Sequence, residues 1–109
     1  MPRERLANRR LSEIVDYMHQ GRAYTAVISR YPDNRLAEVF LYNGKVGSDA
    51  QINSRDASVA LSMLLQHGCD VDTVRHGLSR TESGVAESAM GALLDLLAAP
   101  VADNDNGRP

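Results

Sequence analysis

A chain of 109 residues is one domain by length, with room for a single two-layer core. Its apolar and charged fractions, 43% and 24%, are ordinary for a globular protein, and a net charge of −2 gives no global pull toward nucleic acid or anionic membrane. A lone cysteine, Cys69, excludes an internal disulfide framework, and no apolar run reaches membrane length. With no hydrophobic signal region at the N-terminus, the expectation is a cytoplasmic protein. There is no Trp and one Phe, so a core must come from Leu, Val, Ile, Ala and Met.

Residues 1–12 set Arg3, Arg5, Arg9 and Arg10 against Glu4 alone, and read as a basic, flexible arm. Such an arm can touch phosphates, but a solvated terminus is the simpler reading. The domain proper is expected over residues 13–98, with a disordered tail from 99 to 109.

Glu13–Met18 alternates as a strand does, and His19-Gln20-Gly21-Arg22 has the length and the glycine of a hairpin loop. In Ala23–Tyr31, Tyr24, Ala26 and Ile28 face one way and Thr25, Val27 and Ser29 the other. Tyr31-Pro32-Asp33-Asn34 is a turn, because Pro32 presets φ and Asp33 and Asn34 tolerate a tight backbone. Arg35–Tyr42 is the third strand. Leu36, Phe40 and Tyr42 share a face with Glu38, while Ala37, Val39 and Leu41 form a wholly apolar face that should meet the helices. Connections this short favour an antiparallel meander.

Asn43–Gly47 breaks the strand, and Ser48 with Gln51 makes a capping-box signature. A helix from Ser48 is expected to bury a stripe of Ile52, Val59, Ala60, Met63 and Leu64, flanked by Leu61 and Leu65, and to end at Gly68. Asp70 caps a short second helix with Val71, Val74 and Leu78 on one face. After a polar break over Ser79–Gly84, a third helix carries Ala86, Met90, Leu93, Leu94 and Leu97 and stops at Pro100. The fold class is therefore α+β: a three-stranded antiparallel meander followed by three helices packed on the sheet.

The loop Gly44-Lys45-Val46-Gly47-Ser48 joins a strand to a helix start. Glycines there let backbone N–H groups face outward, the helix start favours an anion, and Lys45, the chain's one lysine, adds a compact cation. Gly44, Lys45, Gly47 and Ser48 are thus the candidate site for a phosphate or nucleotide, although the loop is neither a Walker loop nor a dinucleotide fingerprint. The alternative is a plain connection in which Gly44 turns and Ser48 caps. His67, Cys69 and His76 lie close in sequence, but there is no CxxC pair and no second ligand pair, so no metal is expected. Cys69 lacks an orienting group and an oxyanion hole, so no catalytic residue is assigned.

The stretch from Arg35 to Leu78, RLAEVFLYNGKVGSDAQINSRDASVALSMLLQHGCDVDTVRHGL, resembles the TSCPD domain. That is the small module at the C-terminal end of adenosylcobalamin-dependent ribonucleotide reductases, with short stand-alone relatives in bacteria and phages. The shared features are Arg35-x-x-Glu38-Val39-Phe40, the Gly44-Lys45-x-Gly47-Ser48 loop, Leu65-x-x-Gly68, and Val71-Asp72-Thr73-Val74 leading to Leu78. The likeness extends over about residues 13–98. Family members in the large reductases carry paired cysteines and a Thr-Ser-Cys-Pro-Asp string. Here the corresponding region, Thr81 to Ser88, has no cysteine, and Gly21-Arg22-Ala23 stands where another pair would be. The resemblance implies the fold and transfers neither reductase chemistry nor zinc, and no cofactor is expected.

Two readings of different class follow. One is a non-catalytic binding or assembly module: Leu36, Phe40, Tyr42, Tyr24 and Ile28 would stay uncovered beyond the helices, which favours a homodimer through that face or an edge strand. The other, implied by the resemblance alone, is an accessory protein of a separately encoded ribonucleotide reductase. Nucleic-acid contact through the arginine arm is a third, and the acidic total argues against it.

Overall fold

The computed structural model describes residues 2–7, 11–43 and 49–99. It contains β1 (Ser12–His19), β2 (Arg22–Arg30), β3 (Leu36–Tyr42), α1 (Asp49–Gln66), α2 (Val71–Gly77) and α3 (Ala89–Ala98). The strands form one antiparallel sheet in the order β1-β2-β3, so the α+β meander read from the sequence is the fold.

The β1–β2 hairpin turns through Gln20 and Gly21, with φ of 51° and 77°. Two positive φ values match the twist of a two-residue hairpin and fix its register, with Tyr17 opposite Tyr24 and Ile14 opposite Val27. At the next turn Asn34 takes φ 77° and its N–H donates to Tyr31 C=O at 2.8 Å. There Arg30 pairs with Leu36 while Ser29 pairs with Glu38, so Ala37 is an extra residue on β3. The bulge buries Leu36 and Ala37 together.

The expectation for the apolar face of β3 holds: Ala37, Val39 and Leu41 are buried, with Leu61, Leu65, Met90, Leu93 and Leu94 in the same core. The cross-strand register also places Ile28 beside Val39 and Ala26 beside Leu41. Tyr24 and Ile28 are thus inside the core, and the bulge takes Leu36 there too. None of these belongs to the uncovered face expected from the sequence.

The stripe expected on α1 is overturned. Ile52, Val59, Met63 and Leu64 are exposed, and the helix instead buries Ser58, Leu61, Ser62, Leu65 and Gln66. The cause lies in where the helix sits. It runs antiparallel to β3, along the sheet edge, where outward main-chain groups need partners. Leu41 N–H donates to Ser58 Oγ at 3.0 Å, Val39 N–H donates to Ser62 Oγ at 3.0 Å, and Gln66 Nε2 donates to Ala37 C=O at 3.1 Å. Four helical residues advance about 6 Å and two strand residues about 6.8 Å, so side chains spaced by four on α1 meet every second residue of β3. Asn43 N–H extends the series by donating to Gln51 Oε1 at 3.2 Å. The capping partner expected of Gln51, Ser48, lies outside the described residues.

α1 ends as expected at Gly68 (φ 91°), where Cys69 N–H donates to Leu64 C=O and Gly68 N–H to Leu65 C=O. Asp70 caps α2 through Thr73 N–H, and Ser88 caps α3 through Gly91 N–H. Ala86, assigned from the sequence to the third helix, precedes it and bridges to Arg80 instead.

Candidate functional site

The sequence-derived site, Gly44, Lys45, Gly47 and Ser48, lies outside the described residues, as does the tail from residue 100. What the structure does place is the surroundings of the remaining candidates. His67 and His76 each set Nδ1 against a backbone carbonyl four residues back, Met63 and Asp72, at 2.8 Å. Among the described residues no cluster of His, Cys, Asp or Glu, these included, is arranged to hold a metal. In the N-terminal segment, Arg3 Nε donates to Gln66 Oε1 at 2.6 Å, Glu4 N–H donates to Gln66 C=O at 2.7 Å, and the Tyr31 hydroxyl donates to Glu4 C=O at 2.6 Å. Arg35 adds an ion pair to the Glu4 carboxylate at 2.9 Å.

A concavity opens on the helical side of the sheet, among β2, β3 and the described helices. It encloses about 430 Å³ and is lined by Leu41, Leu61, Leu64, Val74, Leu78 and Met90, together with Asn53 and Ser54 of α1, the α3 cap Ser88 and Ala89 of α3. Tyr24 lines one end, its ring stacked on that of Tyr17 with centroids 5.7 Å apart. The Tyr17 hydroxyl donates to Ala89 C=O at 2.7 Å, fastening β1 to the start of α3, and burial raises its pKa. Sequence reasoning missed this cleft because its wall comes from separate elements whose apolar residues each pass for ordinary core.

Also missed was the clamp that holds α2, the following loop and α3 together. Arg80 grips the Asp95 carboxylate through both terminal nitrogens, at 2.6 and 2.8 Å, while Arg75 reaches the same group at 3.2 Å. Arg80 further donates to Gly84 C=O at 2.9 Å. The Arg80 hydrogen bonds, seconded by Arg75, bring the Asp95 pKa down to about 2. With both oxygens of Asp95 engaged by guanidinium groups, this cluster acts as a brace.

The comparisons with known proteins bear on the whole of this arrangement. The family described as the TSCPD domain matches residues 2–101. The chain belongs to the TSCPD domain family. No curated protein and no solved structure matches it.

In this TSCPD domain the helices cover one face of the sheet and leave the other open. Across that open face the register aligns Ile14, Val27 and Phe40 in one row spanning all the strands, with the Asp16–Thr25–Tyr42 row beside it and the Met18–Ala23 pair beyond. Ile14 is 70% exposed and Met18 64%, whereas Val27 and Phe40 are half-buried by their neighbours. Among the described residues no helix is long and apolar enough to cross a membrane.

Proposed function

We propose that this TSCPD domain is a non-catalytic assembly module that pairs with a second copy of itself through the open face of its sheet. The observation that carries the reading is the Ile14–Val27–Phe40 row, which is apolar from one edge of the sheet to the other and lies on the face that no described helix covers. A partly exposed row of this kind gains by excluding water against a matching surface, and a two-fold copy supplies one.

The edges favour a face over an edge. The β3 edge is occupied by Ser58, Ser62 and Gln66 of α1. The β1 edge carries Glu13 and Asp16, charges of the kind that discourage strand addition. Sedimentation velocity tests the reading with the wild type and Ile14→Glu. Ile14 is exposed, so the variant folds; the wild type is expected to shift from monomer to dimer with concentration and the variant to stay monomeric. A wild type that is strictly monomeric at high concentration removes the proposal.

Family membership favours a second reading, an accessory protein of a separately encoded ribonucleotide reductase, because the TSCPD module is resembled at the end of such enzymes. Its test is a pull-down with purified reductase components, and failure to recover any of them counts against it. The loop Gly44 to Ser48 stays, within either reading, the proposed contact for a phosphate or nucleotide on the strength of its sequence.

A further inference from the structure

We infer that the cleft on the helical side of the sheet is a binding site for a small uncharged molecule with an apolar body and one terminal hydrogen-bonding group. Its volume of about 430 Å³ lies within the range of roughly 300–1,000 Å³ typical of small-ligand sites. It lies on the opposite side of the sheet from the Ile14 row and does not depend on pairing of copies.

The chemistry of the walls selects the ligand. The described residues that line the cleft carry no charge, so an ionised group entering it would lose its hydration without a countercharge. That excludes phosphate and carboxylate ligands from the interior and leaves aromatic or branched aliphatic bodies, which Leu61, Leu64, Val74 and Met90 contact on several sides.

Of the polar groups in the lining, the one on a buried residue marks where the ligand's own polar end goes. Tyr24 is 8% exposed and lines the cleft, yet its hydroxyl makes no hydrogen bond to any described residue, whereas that of Tyr17 beside it is bound to Ala89 C=O. A hydroxyl so placed can exchange its solvent contact for the polar end of a bound molecule. Among the described residues, the one sealed side-chain polar atom without a partner is Arg80 Nε, so the Tyr24 hydroxyl is not sealed and is accessible to the polar end of a ligand. Asn53, an exposed residue of the lining, offers its amide as a second contact for a ligand that spans the cleft.

The test uses the full chain and N-phenyl-1-naphthylamine, an uncharged aromatic amine whose emission rises in apolar surroundings; the protein has no tryptophan to interfere. The expected result is saturable binding of one probe per chain, with methyl NMR shifts at Leu41, Leu61, Leu64 and Val74. Ala57→Phe fills the cleft from an exposed position on its wall and is expected to weaken binding tenfold or more. Tyr24→Phe keeps the ring and removes the hydroxyl, and should weaken binding roughly three- to tenfold. Ile14→Glu should leave binding unchanged, which separates this site from the open sheet face. Failure to saturate up to the probe's solubility, equal binding by Ala57→Phe, or methyl shifts confined to Ile14 and Val27 would each overturn the inference. If Ala57→Phe does not fold, the methyl shifts of the wild type decide.

Discussion

Ser62 Oγ serves both main-chain groups of Val39, accepting from its N–H at 3.0 Å and donating to its C=O at 3.1 Å. A helix hydroxyl here takes the place a neighbouring strand would have filled. The sheet edge is thereby closed without a further strand, and α1 is held in register with β3 rather than merely resting on it.

Ser62→Ala should therefore cost far more than its size suggests. It leaves the buried N–H and C=O of Val39 unanswered, for a loss of about 2–3 kcal/mol. In urea unfolding the midpoint should fall accordingly. Met63→Gln, one residue on but facing water, should change stability by no more than about 0.5 kcal/mol.

That pair of variants marks where the sequence stops being legible. Strand alternation, the Gln20–Gly21 hairpin, the Pro32 turn and the Gly68 stop are local signals, and the structure follows them. The buried face of α1 is not local. Periodicity assumes that apolar residues go inside, but a helix beside an open strand edge is chosen for its hydrogen-bonding groups. The spacing Ser58, Ser62, Gln66 was present in the chain, and small polar residues four apart on a helix that follows a strand are the signal that could have found it. The cleft and the Arg80–Asp95 brace depend on how α2 and α3 come together over the sheet, which no single segment encodes.

The brace gives a pH prediction. Asp95 has a folded-state pKa of about 2, below the usual carboxylate value, so its contribution is complete above the unfolded-state value. It is then lost as pH falls from about 4 toward 2. The wild-type melting temperature should drop through that window. Asp95→Asn should start lower at neutral pH and show a shallower decline, which thermal melts at several pH values will read directly.

The histidines give a prediction about metals. His67, His76 and Cys69 form no metal-holding cluster among the described residues, and Cys69 has no thiol partner. Adding EDTA or zinc should leave the melting temperature of the wild type unchanged, and a zinc-dependent rise would contradict this placement.

Lys45 tests the loop. Inorganic phosphate or a nucleotide bound to the native state raises the melting temperature, and Lys45→Ala should shrink that rise without altering the melt in ligand-free buffer. A rise that survives intact in the variant removes Lys45 from the contact.

Pairing through the open sheet face can be seen atom by atom. Mixing 13C-labelled with unlabelled protein and recording isotope-filtered NOEs detects contacts between copies alone. The account predicts intermolecular NOEs from the Ile14 and Met18 methyls to the Phe40 or Tyr42 rings. Their absence at concentrations where sedimentation shows a dimer, with NOEs arising instead from Ile52, Val59 and Met63 of α1, would contradict it.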